Sequence, residues 1–166
     1  MKRERIHKTT RLTMILSFVA IDAYAEERRA KGDRILVSVA DRKLVLFDGD
    51  RVLKIYDVAV GKPTTPTPVG EFKIVNRLAN PTYYGHAQVV APGKDNPLGT
   101  RWMGLSATGY GIHGTNVPSS IGYAASHGCI RMRQADLEQL FEMVSVGVTV
   151  EIRGDYQVQL AQVLVQ

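Results

Sequence analysis

The sequence has one cysteine in 166 residues, Cys129, so no disulfide can form within the chain. No apolar run reaches the roughly 20 residues that a membrane-spanning helix needs. No segment repeats and no tract is of low complexity, which excludes repeat architectures and compositionally disordered chains. With 45% hydrophobic and 22% charged residues, the chain has the composition of one globular domain.

The first 25 residues differ in character from the rest. Five Lys or Arg side chains lie in or before a largely apolar segment, Leu12 to Ile21, and Ala23 and Ala25 are the small residues that a signal peptidase reads. The apolar segment is too short for a membrane anchor. We therefore predict that residues 1–25 are a cleaved signal peptide. The mature protein would then be exported to the periplasm or cell wall, with no membrane span.

The charge balance argues against nucleic acid as a partner. The chain carries 21 Lys and Arg against 16 Asp and Glu, a net charge of +5. Residues 1–25 account for +3 of this, since they hold five basic and two acidic side chains. The remaining +2 forms no basic stripe with interleaved aromatic residues, so nucleic-acid binding is not expected.

The mature sequence predicts a mostly β domain. Arg34–Val39, Lys43–Phe47 and Val52–Val60 are rich in β-branched and apolar residues and are separated by short turns, which predicts an antiparallel meander. A proline-rich loop at 61–70, in which Thr65 and Thr67 are interpreted as turn residues, leads to a strand from Glu71 to Val75. Residues 77–102 are rich in turn signals and are expected to form a long loop, either a lid or a binding wall.

One helix is expected, from Arg133 to Val144. Its apolar residues recur at helical spacing and form a single stripe: Leu137, Leu140, Phe141 and Val144. Asp136 suits its first turn, and a final strand is expected from Val148 to Ile152. Residues 26–33 are interpreted as a short linker, and 154–166 as an unassigned C-terminal tail.

The cysteine lies in a segment suited to acyl transfer by a thiol. His113 and His127 lie within sixteen residues of Cys129, and Gly128 immediately precedes it. A cysteine with an ordinary pKa of about 8.5 is mostly protonated at pH 7, so an imidazole must take its proton. Adjacent glycine lets backbone N–H groups approach a developing oxyanion.

Two local geometries are expected around this cysteine. The loop 117–125 contains proline, serine and glycine, and suits a hairpin-like return that brings His113 beside Cys129. His127 and Cys129 are two residues apart, so in an extended segment their side chains would lie on the same face.

The segment His113-Gly114, a short loop, and Ser126-His127-Gly128-Cys129-Ile130-Arg131 resembles the signature of the L,D-transpeptidase (YkuD-type) catalytic domain. Thr67–Ile74 and Asn96–Gly99 resemble further elements of that family. The resemblance covers roughly residues 34–153. It implies an antiparallel, sandwich-like or barrel-like β fold with one packed helix.

The resemblance also implies a reaction and its partners. The enzyme would cut the meso-diaminopimelate–D-Ala bond of a peptidoglycan tetrapeptide stem through a thioester, pass the acyl group to an amine, and react with carbapenem-type inhibitors. No cofactor is expected. Cys129 would be the nucleophile, and His113 the base, oriented by the carbonyl of Gly114. His127, Gly128 and Cys129 would shape the oxyanion site.

Further side chains would contact the substrate. Arg131 would bind the carboxylate of the donor peptide as a fork, or else form a structural ion pair. Ser126, Tyr110 and Asn116 are further candidates, although Ser126 also suits a loop-fixing role. Tyr110 and Trp102 either line the groove or pack in the core or a lid. His127 either assists catalysis or holds its loop by a hydrogen bond.

Several alternatives stay open. The acyl acceptor is a second stem peptide, a lysine of a wall-anchored lipoprotein, or water, which would make the enzyme a carboxypeptidase. His113, His127 and Cys129 match a His₂Cys zinc set, but residues 103–135 hold no Asp or Glu to serve as its base. A non-catalytic wall-binding module would explain an exported β domain but not the thiol between these glycines.

Overall fold

The computed structural model describes residues 31–85 and 88–154. The predicted signal peptide, most of the linker and the tail after Gly154 lie outside them. The described residues form strands β1 (Arg34–Ser38), β2 (Lys43–Asp48), β3 (Arg51–Gly61), β4 (Gly70–Ala79), β5 (Tyr83–Tyr84), β6 (Val89–Val90), β7 (Arg101–Leu105), β8 (Gly111–His113), β9 (Ala124–Ser126), β10 (Ile130–Met132) and β11 (Thr149–Arg153). They also form helix α1 (Gln134–Met143) and a 3₁₀ turn (Pro118–Ser120), which confirms a mostly β fold with one helix.

The first three strands form the predicted meander. β1 pairs antiparallel with β2, and β2 pairs antiparallel with β3. The turn before β2 contains Arg42 at φ +55°, and the turn before β3 contains Gly49 at φ +58°. Glycine adopts this left-handed conformation at little cost, which explains why a short turn was correctly predicted between the second and third runs, at Asp48-Gly49-Asp50.

Nine strands form one barrel-like sheet in the order β10-β8-β7-β4-β11-β1-β2-β3-β9, and β10 also pairs with β3, which closes it. The resemblance predicted antiparallel pairing, and most pairs are antiparallel. Three are parallel: β1 with β11, β8 with β10, and β3 with β9. β11, the last strand among the described residues, therefore lies inside the sheet, between β4 and β1.

The helix packs on the core that this sheet encloses. Leu137 and Leu140 are fully buried and Met143 nearly so, against buried strand residues such as Leu44 and Ile74. Each such apolar side chain contributes roughly 1.5–3 kcal/mol when it leaves water. The predicted stripe is thus confirmed, and the helix ends within one residue of the predicted bounds. No helix among the described residues has the length and apolar character to cross a bilayer.

The prediction of one long loop from 77 to 102 is wrong at both ends. β4 continues to Ala79 and pairs with the start of β7, and a short β5–β6 hairpin lies between them. The pairing shifts register between Ile74 and Asn76, which breaks the alternation of apolar and polar residues by which a strand is recognised.

Asn96 orders the rest of this connection. It is buried, and its Nδ2 donates to the carbonyl oxygens of Pro81, Val90 and Ala91 at 2.9, 3.1 and 3.2 Å, while its Oδ1 accepts the N–H of Leu98 at 2.9 Å. One amide thus ties both sides of the β5–β6 hairpin to the segment before β7.

The predicted hairpin-like return from His113 to Cys129 is also wrong. β8 and β10 pair in parallel, with Ile112 opposite Ile130, whereas a hairpin would make them antiparallel. The connection instead passes through the 3₁₀ turn and β9, which pairs with β3. Parallel strands need such a crossover because the chain must return to the same end of the sheet.

Candidate active site

A cavity of about 760 Å³ opens beside β8 and β10. It brings together five of the predicted site residues, His113, Ser126, His127, Cys129 and Arg131. The rest of its lining comes from the segments around β5, β7 and the end of β4: Leu78, Pro81, Thr82, Tyr83, Tyr84, Gly85, Pro97, Leu98, Trp102 and Gly109. The thiol and the imidazole therefore share one recess.

His113 is the last residue of β8 and is only 5% exposed. Its Nδ1–H donates to the carbonyl oxygen of Gly114 at 2.7 Å. This bond fixes the tautomer and leaves the lone pair on Nε2. Burial lowers the pKa of His113 to about 4; the bond to Gly114 opposes this shift, and the charge of Arg131 adds to it. The imidazole is therefore neutral near pH 7 and able to accept a proton.

Cys129 is partly exposed and lies in the bend that precedes β10. Its Sγ lies 3.7 Å from the carbonyl oxygen of Gly109. Burial raises the pKa of the thiol, and a hydrogen bond with the backbone of Gly111 and the charge of Arg131 lower it in part. Because its pKa is raised while that of His113 is lowered, the cavity holds a neutral thiol and a neutral imidazole at rest.

The segment from His127 to Cys129 is a bend, so the expectation of an extended segment with both side chains on one face is wrong. Gly128 has φ +113°, and a Cβ atom there would lie 2.5 Å from Cε1 of Tyr110 and 3.2 Å from the carbonyl oxygen of Pro66. Only glycine fits this conformation and this space. His127 is exposed at the rim of the cavity.

Ser126 braces this bend from inside. Its hydroxyl donates to the carbonyl oxygen of Cys129 at 2.6 Å and accepts the N–H of Gly128 at 3.0 Å. Although Ser126 lines the cavity, its side chain is occupied within its own loop. The N–H of Gly128 is thereby engaged as well, so the backbone amides of His127 and Cys129 are the remaining candidate oxyanion donors in this bend.

The proline-rich loop supports the same bend, which its interpretation as a simple turn did not foresee. The Thr65 hydroxyl and the Lys62 N–H both donate to the carbonyl oxygen of Ser126, at 3.2 and 3.0 Å. Thr67 is buried, and its hydroxyl oxygen accepts the N–H of Gly61 at 2.8 Å. The sequence of the loop already indicates such a role. Threonines, whose hydroxyls can donate, alternate with prolines, which have no backbone N–H.

Arg131 lies opposite His113 in the β8–β10 pair and lines the cavity. Its Nε is buried and has no hydrogen-bond partner among the described residues. Its charge acts on both His113 and Cys129, since it lowers the pKa of each. It gives the cavity a cationic wall suited to a carboxylate.

Two predicted substrate contacts lie outside the cavity lining. Tyr110 is partly buried and packs against the core and the backbone at Gly128. Asn116 is exposed, and its Nδ2 donates to the carbonyl oxygen of Asp95 at 3.1 Å. The geometry lends their assignment as substrate contacts no support, whereas Trp102 does line the groove.

The described residues offer no set of side chains that could bind the zinc ion of the alternative interpretation. Across residues 31–85 and 88–154, no three His, Cys, Asp or Glu side chains come together closely enough to hold a metal ion. His113, His127 and Cys129 all belong to that part of the chain and form no such group.

Comparison with known proteins agrees with this geometry. The family model for the L,D-transpeptidase catalytic domain, YkuD, matches residues 32–152. A Bacillus licheniformis protein named L,D-transpeptidase YkuD is 48% identical over 119 residues, which are 72% of this chain and 64% of that protein. The chain thus spans less than two thirds of the length of this relative.

Solved structures share the fold. The catalytic domain of the E. faecium L,D-transpeptidase is 28% identical with a TM-score of 0.60, and the match covers 74% of this chain and 98% of that domain. The Ldtfm–avibactam carbamoyl enzyme is 28% identical with a TM-score of 0.63, and the match covers 76% of this chain and 50% of that one. The chain belongs to the L,D-transpeptidase catalytic domain family.

Proposed function

We propose that this protein is a peptidoglycan L,D-transpeptidase in which Cys129 is the nucleophile and His113 the general base. The observation that carries the proposal is that both residues line one cavity, while the bond from His113 Nδ1 to Gly114 leaves Nε2 free to accept a proton. The relatedness to proteins named L,D-transpeptidase supplies the reaction class and the substrate.

The first half-reaction forms a thioester. The Sγ–H proton passes to Nε2 of His113 as Sγ attacks the carbonyl carbon of the meso-diaminopimelate–D-Ala bond. The carbonyl oxygen becomes an oxyanion that the backbone N–H of Cys129 stabilises. The C–N bond then breaks, the imidazolium returns its proton to the departing amine, and D-Ala leaves.

The second half-reaction releases the enzyme. An acceptor amine attacks the thioester carbonyl, His113 takes the amine proton, and the C–S bond breaks. The thiolate of Cys129 then regains a proton from the imidazolium. The neutral resting pair suits this cycle, because each half-reaction starts and ends without separated charge in a buried site.

Arg131 orients the donor peptide. Stem peptides carry carboxylates, and among the side chains that line the cavity that of Arg131 is a permanent cation. Its unpartnered Nε and its guanidinium offer a carboxylate a paired hydrogen bond. His127, at the exposed rim, would contact the substrate as it enters the cavity.

The acceptor defines three versions of the same activity. A second stem peptide gives a 3-3 cross-link, a lysine of a wall-anchored lipoprotein gives an anchor, and water gives a carboxypeptidase product. All three use the same thioester. The activity belongs in the periplasm or cell wall, where peptidoglycan lies, which fits the signal peptide that residues 1–25 predict.

Product analysis on purified tetrapeptide muropeptides tests the proposal. The protein should release D-Ala and form cross-linked dimers, both measured by mass spectrometry, and Cys129→Ala should do neither while its circular dichroism is unchanged. D-Ala release by the folded Cys129→Ala variant would overturn the thiol mechanism. Release without dimers would identify water as the acceptor, and loss of activity on prolonged chelation would restore the zinc alternative.

A covalent probe tests the nucleophile without any acceptor. The related Ldtfm structure is a carbamoyl enzyme formed with avibactam, so covalent modification by an electrophilic inhibitor is expected here too. Intact-mass measurement after incubation with a carbapenem should show one adduct on the wild type and none on Cys129→Ala. A folded wild type that forms no adduct would favour the wall-binding module.

A further inference from the structure

Trp102 and His113 face each other across the antiparallel β7–β8 pair. Their rings stack with centroids 5.7 Å apart and an interplanar angle of 23°. Trp102 is the sole tryptophan of the sequence and lines the same cavity as His113. Its indole therefore covers one face of the proposed base.

A hydrogen bond holds the indole, and a glycine leaves space for it. Its Nε1–H donates to Oδ1 of Asn76 at 3.0 Å, and the backbone N–H of Gly104 donates to the same oxygen at 3.3 Å. Gly111 leaves room for the ring, since a Cβ atom there would lie 2.5 Å from Cη2 of Trp102. Asn76 follows the register shift in β4, and such an irregularity redirects a side chain.

The stacking of Trp102 on His113 bears on the positive charge that the imidazole carries in the proposed reaction. His113 becomes a buried cation each time it holds the thiol proton. The titratable or charged side chains that line its cavity include no carboxylate; they are Tyr83, Tyr84, His127, Cys129 and Arg131. Arg131 opposes the imidazolium, and the carbonyl of Gly114 favours it. Besides the negative charge that forms on the reacting atoms, the face of Trp102 is in place to stabilise the cation.

We propose that Trp102 stabilises the imidazolium form of His113 by cation–π stacking, and that Asn76 is a positioning residue that holds the indole in place. Tryptophan is the aromatic side chain that attracts cations most strongly, and the attraction grows when the pair is desolvated. The proton itself moves only between Cys129, His113 and the departing amine. The inference rests on the proposed function, because it assigns Trp102 a part in that proton transfer.

Substitution of Trp102 separates the π face from simple burial. Trp102→Leu keeps an apolar cover and removes the π face, and we expect kcat to fall about tenfold. Trp102→Phe keeps a weaker π face and should lie between Leu and wild type. An NMR titration of the His113 imidazole should show its pKa lower in Trp102→Leu than in wild type. An unchanged or higher pKa, or equal rates for Leu and Phe, would overturn the proposal.

Asn76 offers a milder test, because it is exposed and its substitution spares the core. Asn76→Leu removes the acceptor for both N–H groups and should slow acylation of Cys129 about threefold to tenfold. Asn76→Asp keeps an acceptor oxygen and should recover most of that loss. Val75→Thr changes the neighbouring exposed residue and should match wild type. Equal rates for Asn76→Leu and Val75→Thr would refute the positioning role.

These measurements distinguish the two proposals. The His113 titration uses the unreacted protein and needs no substrate. If wild type releases no D-Ala and forms no carbapenem adduct, the proposed function fails, while the titration still decides whether Trp102 stabilises the cation. If wild type is active and Trp102→Leu leaves both the rate and the pKa unchanged, only the role of Trp102 fails.

Discussion

The hydroxyl of Ser126 donates to the carbonyl oxygen of Cys129 at 2.6 Å, so the residue three positions before the proposed nucleophile holds the backbone of that nucleophile. The same hydroxyl accepts the N–H of Gly128. One side chain thus closes the bend on which the thiol is presented. This brace acts on geometry and takes no part in moving protons.

Ser126→Ala should therefore lower kcat by roughly 10- to 100-fold, because a small displacement of a reacting atom is costly. It should also lower the free energy of unfolding by about 1–3 kcal/mol, since buried polar groups lose their partner. Ser120→Ala is the matched control: Ser120 is also buried and donates to a backbone carbonyl, but lies in the 3₁₀ turn. Kinetics and urea unfolding of both variants check this. A rate loss in Ser120→Ala equal to that in Ser126→Ala would contradict it.

His113→Gln should reduce the rate of Cys129 acylation by about 10²- to 10⁴-fold, the usual contribution of a positioned base. Glutamine keeps a polar side chain but cannot take the proton. His127→Gln is the comparison, because His127 is exposed at the rim of the cavity. Carbapenem acylation rates measure both. If His113→Gln loses less than tenfold and His127→Gln loses more, the base is His127.

Gly128→Ala should abolish most activity and destabilise the fold. A side chain at φ +113° is strained by about 1–3 kcal/mol, and its Cβ would also clash with the ring of Tyr110. Gly122 has φ +91°, and a Cβ atom there would have nothing within 4 Å, so Gly122→Ala carries the strain without the clash. Thermal unfolding and D-Ala release should separate the two. Equal activity in both variants would show that the bend tolerates displacement.

Stability should fall as the pH drops from about 6.5 to about 4. The pKa of His113 is lowered to about 4 by burial, so in this window the unfolded chain binds a proton that the folded protein excludes. The loss amounts to about 3 kcal/mol at most for a shift of this size. Urea unfolding at pH 7, 5.5 and 4 should show a shallower decline for His113→Gln. Parallel declines for the two proteins would disprove the assignment.

Two carboxyl groups overlap the acid end of that window. A hydrogen bond from Lys43 lowers the pKa of Asp57, and hydrogen bonds with Thr100 and Gln134 lower that of Glu138. Their stabilisation is present above the ordinary carboxyl range, about pH 4, and is lost as the pH falls through it. Because both proteins carry these groups, the difference between wild type and His113→Gln isolates the loss due to His113, most cleanly between about pH 7 and 5.5.

The sequence predicted the parts of the fold that local patterns encode. The meander followed from β-branched runs and the turn at Gly49, and the helix from a stripe with 3.6-residue spacing. β8 and β10 were not predicted as strands, because three residues carry no periodicity. Their parallel pairing depends on β9 crossing to β3, which is a tertiary contact that no local pattern records.

The residues of the candidate site also fall into two groups: those that the sequence predicted and those that it did not. Cys129 and His113 were predicted because a thiol nucleophile needs an imidazole as its base, and Arg131 because the segment around the cysteine resembles the family signature. Asn76 and Thr65 were not, because each acts from a distant segment: Asn76 through Trp102, and Thr65 on the carbonyl of Ser126. Contacts between segments far apart in sequence set the orientation of the reacting groups, and the sequence pattern near the cysteine does not contain them.

The place of β11 has a consequence for how the protein is made. This strand lies between β4 and β1, so neither of those strands has its full set of partners until residues 149–153 have emerged. The barrel cannot close before that point, and a contact between strands so far apart in sequence is slow to form. A domain that stays open until residues 149–153 are made has the unclosed form that the export predicted from residues 1–25 would require.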